Sequence, residues 1–130
     1  MFRSIRDFDV ENKRVLVRCD FNVPLNDSGN ILDDFKIAET LLTIKYLIKN
    51  NAKIILISHL GDPDGKVVDI LRLNKIQKKL SELLGFTVKK AEDCISLLVT
   101  ELVDGLKSGE VLLLENLRFH KEEIENNLEF

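Results

Sequence analysis

Three short stretches of this chain carry the residue types that do chemistry, and each directly follows an aliphatic run. Asp20, Phe21 and Asn22 follow RVLVRC; His59, Leu60, Gly61 and Asp62 follow KIILIS; Asn116, Arg118 and His120 follow VLLLE. A carboxylate and an amide at adjacent alternate positions suit the hydroxyls of a small polyol. An imidazole and a guanidinium suit phosphate or carboxylate oxygens, arginine with two parallel hydrogen bonds. The set fits a small carboxylate or polyol phosphate. Each residue also has an ordinary structural role. Asp20 and Asn22 suit an Asx turn, His59 a loop histidine, Arg118 a surface ion pair, and His120, beside an acidic tail, a solvated side chain. What favours a shared site is that all three stretches leave the carboxyl ends of β-runs, where ligands of open parallel sheets bind.

The elements that position them follow from periodicity. Arg14–Cys19 reads as a first strand, central and covered on both faces, because its middle is β-branched and apolar. Asp33 and Asp34 suit the start of a helix, whose apolar residues Ile37, Leu41, Ile44 and Ile48 share one face. Lys53–Ser58 is a second strand, and 59–69 a loop rich in turn dipeptides. Leu73, Ile76, Leu80, Leu83 and Leu84 form a second helical stripe closed by Gly85. Thr87–Lys90 is a third strand, and Ala91-Glu92-Asp93 after it reads as helix capping. Ile95, Leu98, Leu102 and Leu106 form a third stripe, and Val111–Glu115 a fourth strand. The β-α-β-α-β-α-β order predicts an α/β fold: a parallel, Rossmann-like three-layer sheet with helices on both faces. Lys121–Phe130 reads as the approach to a further helix, inside which the chain stops, as a fragment of a longer protein would.

Composition narrows the function. The chain has 130 residues, 45% of them hydrophobic and 32% charged, with six glycines and two prolines, so it is neither disordered nor fibrous. A net charge of −3 argues against a general nucleic-acid binder. No aliphatic run approaches a membrane span, no secretory signal opens the chain, and Cys19 and Cys94 lack metal-ligand spacing and read as reduced, partly buried thiols. Neither GxGxxG nor GxxxxGK[ST] is present, so no nucleotide motif lies in this segment. A receiver-type phosphoacceptor domain shares the topology, but the single carboxylate after the first strand, flanked by Phe and Asn, weighs against it.

At these same residues the sequence resembles phosphoglycerate kinase. The matching blocks are VRCDFNVPL at 17–25, DDFKI at 33–37, TIKYLI at 43–48, AKIILISHLGDPDG at 52–65, LRLNKIQKKLSELLG at 71–85 and GEVLLLENLRFHKEE at 109–123. The resemblance implies that 1–130 is the truncated N-terminal, 3-phosphoglycerate-binding domain of a two-domain glycolytic kinase, cytoplasmic and monomeric at full length, with no nucleic-acid or membrane partner. Mg-ATP or Mg-ADP would bind a C-terminal domain absent from this chain, and the substrates would be 3-phosphoglycerate and 1,3-bisphosphoglycerate. It further implies substrate contacts at Asp20, Phe21, Asn22, Lys36, His59, Leu60, Gly61, Asp62 and Arg118, with Lys36 as the catalytic cation. Two positions depart from the family pattern. Lys36 and Asp62 stand where the family has arginines, one losing the planar fork and the other reversing the charge. The alternative implied is a diverged, non-catalytic relative with a weak ligand or partner role.

Overall fold

The structure, a computed structural model, describes residues 3–130. Four parallel strands form the sheet: β1 (Arg14–Arg18), β2 (Lys53–Ile57), β3 (Lys89–Lys90) and β4 (Val111–Leu113). Their spatial order is β1-β2-β4-β3. Four helices accompany them: α1 (Phe35–Lys49), α2 (Asn74–Leu84), α3 (Leu97–Asp104) and the single turn α4 (Lys121–Ile124). The expected three-layer α/β architecture is present, with shorter third and fourth strands than the aliphatic runs suggest.

The period-2 alternation of the strands sorts the core into two layers. Ile54, Leu56, Val111 and Leu113 point to the side of α1 and α2, where they meet Ile37, Ile44, Leu47, Ile76 and Leu80. Ile55, Leu112 and Leu114 point to the other side, against Val99 and Leu106 of the α3 region. The β2 and β4 side chains are buried on both faces, as a parallel interior strand requires.

β1 is different. It lies at the sheet edge, and Arg14, Leu16 and Arg18 are exposed on the face away from α1 and α2, where only the end of α3 comes near, Asp104 pairing with Arg14 at 2.7 Å; Leu16 is 63% exposed. The expectation of a central strand covered on both faces is therefore corrected. Only Val15 and Val17 face the helical layer, and the flanking arginines keep the other face solvated.

The helix ends also differ in detail from expectation. The Asp33 carboxylate accepts the Phe35 N–H at 2.9 Å, whereas Asp34, although at the cap position, makes no capping bond. Gly85 ends α2 with φ 81°, the left-handed conformation for which glycine is suited. The third stripe is corrected: Ile95, Leu98 and Leu102 are exposed, and the buried face of α3 is made by Val99, with Val103 packed beside it. Ser96 fixes that phase by accepting the Val99 N–H at 3.1 Å. In the tail, only one helical turn forms, and Phe130 packs against the second core layer while Leu128 is exposed. Among the described residues no helix is long and apolar enough to cross a membrane.

Candidate anion-binding rim

The strand order explains which loops meet. Because β4 lies between β2 and β3, the carboxyl ends of β1, β2 and β4 are neighbours, and that of β3 is displaced to the side. The loops after β1, β2 and β4 bear Asp20 and Asn22, His59, and Arg118 respectively.

Side-chain hydrogen bonds stitch these loops together. Asp20 Oδ1 accepts the Asn22 N–H at 3.1 Å, so the Asx turn is real. Asn22 Oδ1 in turn accepts the Gly61 N–H at 2.9 Å, joining the first loop to the second. Gly61 is required here on two counts: its φ is 62°, and a Cβ would come within 2.7 Å of Leu71 Cδ2. Asn116 joins the second loop to the third. Its Nδ2 donates to the carbonyls of Leu60 at 2.8 Å and Leu71 at 3.0 Å. Its Oδ1 accepts the N–H groups of Leu60 at 3.3 Å and Arg118 at 3.1 Å. Asn116 is fully buried.

Beneath the rim sits a buried carboxylate. Glu115 accepts the N–H groups of Leu73 and Asn116, both at 2.9 Å, and pairs with Lys90 at 2.8 Å and Arg72 at 3.3 Å. A lone buried charge would be costly; four partners satisfy this one. Glu115 and Asn116 are scaffold residues of the rim. Their signal in the sequence is two polar residues immediately after a fully apolar strand.

Lys36, in the first turn of α1, reaches across to the first loop. Its Nζ lies 3.2 Å from Asp20 Oδ2 and 3.2 Å from the Asn22 carbonyl. Partial burial raises the Asp20 carboxyl, but the Lys36 and Asn22 contacts outweigh it and leave its pKa below the ordinary value.

Phe21 and Leu60, expected among the substrate contacts, are core residues at 0% and 2% exposure. Their backbones are committed too: the Phe21 N–H donates to Ser58 Oγ at 3.0 Å, and Asn116 holds both polar groups of Leu60. They anchor the loops and do not face the rim. Asp62 is exposed and makes no hydrogen bond or ion pair among the described residues.

Arg18 is a rim residue that the strand reading passed over, because it counted as part of β1. It is the last residue of that strand, and a cation at a carboxyl end was the available signal. Its Nη2 lies 2.7 Å from Glu123 Oε1, and Arg118 Nε lies 3.3 Å from Glu123 Oε2. His59 sits within this charged group. Burial, reinforced by the positive charge of Arg118, holds its pKa below the ordinary histidine value, so the imidazole is neutral at pH 7.

Asp93 and His120 are corrected as well. Asp93 is no helix cap. Its Oδ1 accepts the Cys94 N–H at 2.7 Å and lies 2.6 Å from His120 Nε2. His120 is therefore partnered, and its ring lies beside that of Phe130, with centroids 5.5 Å apart and planes tilted by 36°. Cys94 completes a cluster of three ligand-type side chains within 4.8 Å that the sequence spacing did not reveal. Burial pushes the thiols of Cys94 and Cys19 up to about 12, and both cysteines are free.

An open parallel sheet with helices on both faces, and with cations, a carboxylate and an amide gathered over the ends of β1, β2 and β4, places the chain in the α/β class whose ligand sites lie beyond the carboxyl ends of the strands. The comparisons with known proteins are narrower. The phosphoglycerate kinase family model matches residues 5–130. A phosphoglycerate kinase of Gloeothece citriformis is 58% identical over 94% of this chain and 30% of its own length, and one of Coprothermobacter proteolyticus is 53% identical over 98% and 33%. The crystal structure of phosphoglycerate kinase from Pyrococcus horikoshii OT3 superposes with a TM-score of 0.86 at 40% identity, over 95% of this chain and 30% of that one. The chain belongs to the phosphoglycerate kinase family, and it spans about a third of the length of the curated relatives it matches.

Proposed function

We propose that residues 1–130 are the 3-phosphoglycerate-binding part of a phosphoglycerate kinase, which transfers a phosphoryl group reversibly between Mg-ATP and 3-phosphoglycerate. The observation that carries this reading is the gathering of Asp20, Asn22, Lys36, His59 and Arg118 on one rim through Asn22 and Asn116. Asp20 and Asn22 hold the substrate hydroxyl, and His59 and Arg118 hold its anionic oxygens. In the direction that consumes ATP, a carboxylate oxygen of 3-phosphoglycerate attacks the γ-phosphorus and the bond to the β-phosphate oxygen breaks, giving 1,3-bisphosphoglycerate and ADP. Catalysis of such a transfer is mainly positioning and charge neutralisation. Lys36 supplies a mobile cation for the transferring group, which requires it to exchange its Asp20 contact for the ligand.

The Mg-nucleotide is a co-substrate held by residues beyond these 130, opposite the rim. A cytoplasmic location and a monomeric full-length protein accompany the reading. Asp62, an exposed carboxylate where the family has arginine, favours a second reading, a diverged member that binds ligand without turnover.

Kinetics of the full-length polypeptide with Lys36→Ala test the assignment. The expected result is a kcat lower by about a hundredfold with a much smaller rise in KM, as for loss of one transition-state contact. An unchanged kcat would remove Lys36 from the mechanism. Absence of turnover in the unmodified full-length protein, with calorimetric 3-phosphoglycerate binding retained, would establish the second reading.

A further inference from the structure

The backbone of Arg118 is fixed at both ends: its N–H donates to Asn116 Oδ1 at 3.1 Å, and its carbonyl accepts the Gly65 N–H at 3.1 Å. Its side chain has one protein partner among the described residues, Glu123, through Nε at 3.3 Å. The terminal NH groups of that guanidinium carry no hydrogen bond to the described residues. Glu123 is itself restrained. Its side chain is only 12% exposed, and its other oxygen is 2.7 Å from Arg18 Nη2 at the opposite side of the rim. The Arg18 bond, helped by Arg118 and opposed by burial, holds the Glu123 carboxyl below the usual carboxylate range. Glu123 stays ionised while it bridges the two arginines.

We infer that Glu123 is a positioning residue: it holds the Arg118 guanidinium by Nε so that its terminal NH groups face the bound phosphoglycerate, and Arg18 is the counter-charge that keeps Glu123 in place. The inference rests on the reading that the rim takes 3-phosphoglycerate. An exposed arginine held by nothing spreads over several rotamers, whereas a bridging carboxylate with both oxygens engaged selects one. Misplacing a binding group by an ångström can cost as much as a hundredfold in rate.

Charge and position have opposite consequences here, which makes them separable. Replacing Glu123 by Gln removes one negative charge beside the site, and charge alone would tighten an anionic ligand. Loss of positioning would slow the chemical step. In the full-length polypeptide, Glu123→Gln should therefore lower kcat by roughly tenfold without raising KM for 3-phosphoglycerate, and steepen the salt dependence of binding. Glu123→Asp, which keeps the charge, should recover part of kcat. Arg18→Met should reproduce the kcat loss, and the Glu123→Gln, Arg18→Met double variant should be no slower than Glu123→Gln alone, because both act through one unit. A purely structural role would lower the melting temperature while leaving kcat per folded molecule and the salt slope unchanged. A kcat in Glu123→Gln within twofold of the unmodified protein, or additive losses in the double variant, would overturn the inference. If Glu123→Gln does not fold, Glu123→Asp and Arg18→Met decide it: both at the unmodified kcat overturn it. Calorimetric binding separates this from the underlying reading. If the unmodified protein fails to bind 3-phosphoglycerate, or Arg118→Ala binds it equally well, the substrate assignment itself is wrong. If both behave as expected and only the Glu123 variants do not, the positioning role alone is lost.

Discussion

Replacing Asn116 should unfasten the rim from the fold. Its amide makes four hydrogen bonds, to both polar groups of Leu60, to the Leu71 carbonyl and to the Arg118 N–H. Asn116→Ala removes all four. Two of the orphaned groups belong to Leu60, which is only 2% exposed, so water reaches them poorly. Each buried polar group left without a partner costs about 1–3 kcal/mol. Two therefore give roughly 2–6 kcal/mol, and water entering the vacated space offsets part, so the expected loss is about 3 kcal/mol. Urea unfolding followed by circular dichroism should show the midpoint falling by about 1–3 M at an unchanged slope. Amide exchange at Leu60 should accelerate before exchange in β2 does, because the loop loosens locally. Asn116→Asp is the sharper variant: it keeps the acceptor but turns an oxygen toward the Leu60 and Leu71 carbonyls, and should destabilise at least as much at pH 7. A loss below about 1 kcal/mol in both variants, with Leu60 exchange unchanged, would refute the claim that Asn116 pins the two loops.

Further outcomes follow from the same geometry. Since the His59 pKa is held below the ordinary value, the unfolded chain takes up the proton first as pH falls, and the fold loses stability below about pH 6.5. An anionic ligand should reverse that bias, so 3-phosphoglycerate binding at pH 7 should be accompanied by proton uptake; calorimetric heats should vary with the ionisation enthalpy of the buffer, and His59→Gln should remove the His59 contribution. Leu98→Ser on the exposed side of α3 should change stability by less than about 0.5 kcal/mol, whereas Val99→Ala should cost about 1–2 kcal/mol, measured by urea unfolding; the reverse order would restore the stripe expected from spacing. Asp62→Arg replaces an unpartnered exposed carboxylate by a cation, and should tighten 3-phosphoglycerate a few-fold at low salt with the gain fading at high salt; equal affinities at low salt would mark residue 62 as remote from the ligand.

Much of this protein was legible in one dimension. Aliphatic runs bounded by Gly, Asn and Asp marked the strands, and a parallel sheet places the residue after each run at the same edge. That is local information, and it located Asp20, Asn22, His59 and Arg118 on the rim. The DFNVP, SHLG and LLENLRF blocks carried the family, because side chains that hold a loop in one conformation must occur in fixed local order. The tertiary structure decided what depends on neighbours far along the chain. β1 became an edge strand because β4 pairs with the other side of β2, and no local pattern specifies pairing order. The buried face of α3 was misread because an eight-residue helix rich in Leu and Val offers more than one apolar face, and packing against Leu112 and Ile55 chooses between them. Glu123 bridges arginines 105 and 5 positions away, and Asn116 clasps Leu60 from 56 positions away. Such contacts form only when the sheet has brought separate loops together, so their energy and their consequences for the site belong to the folded state.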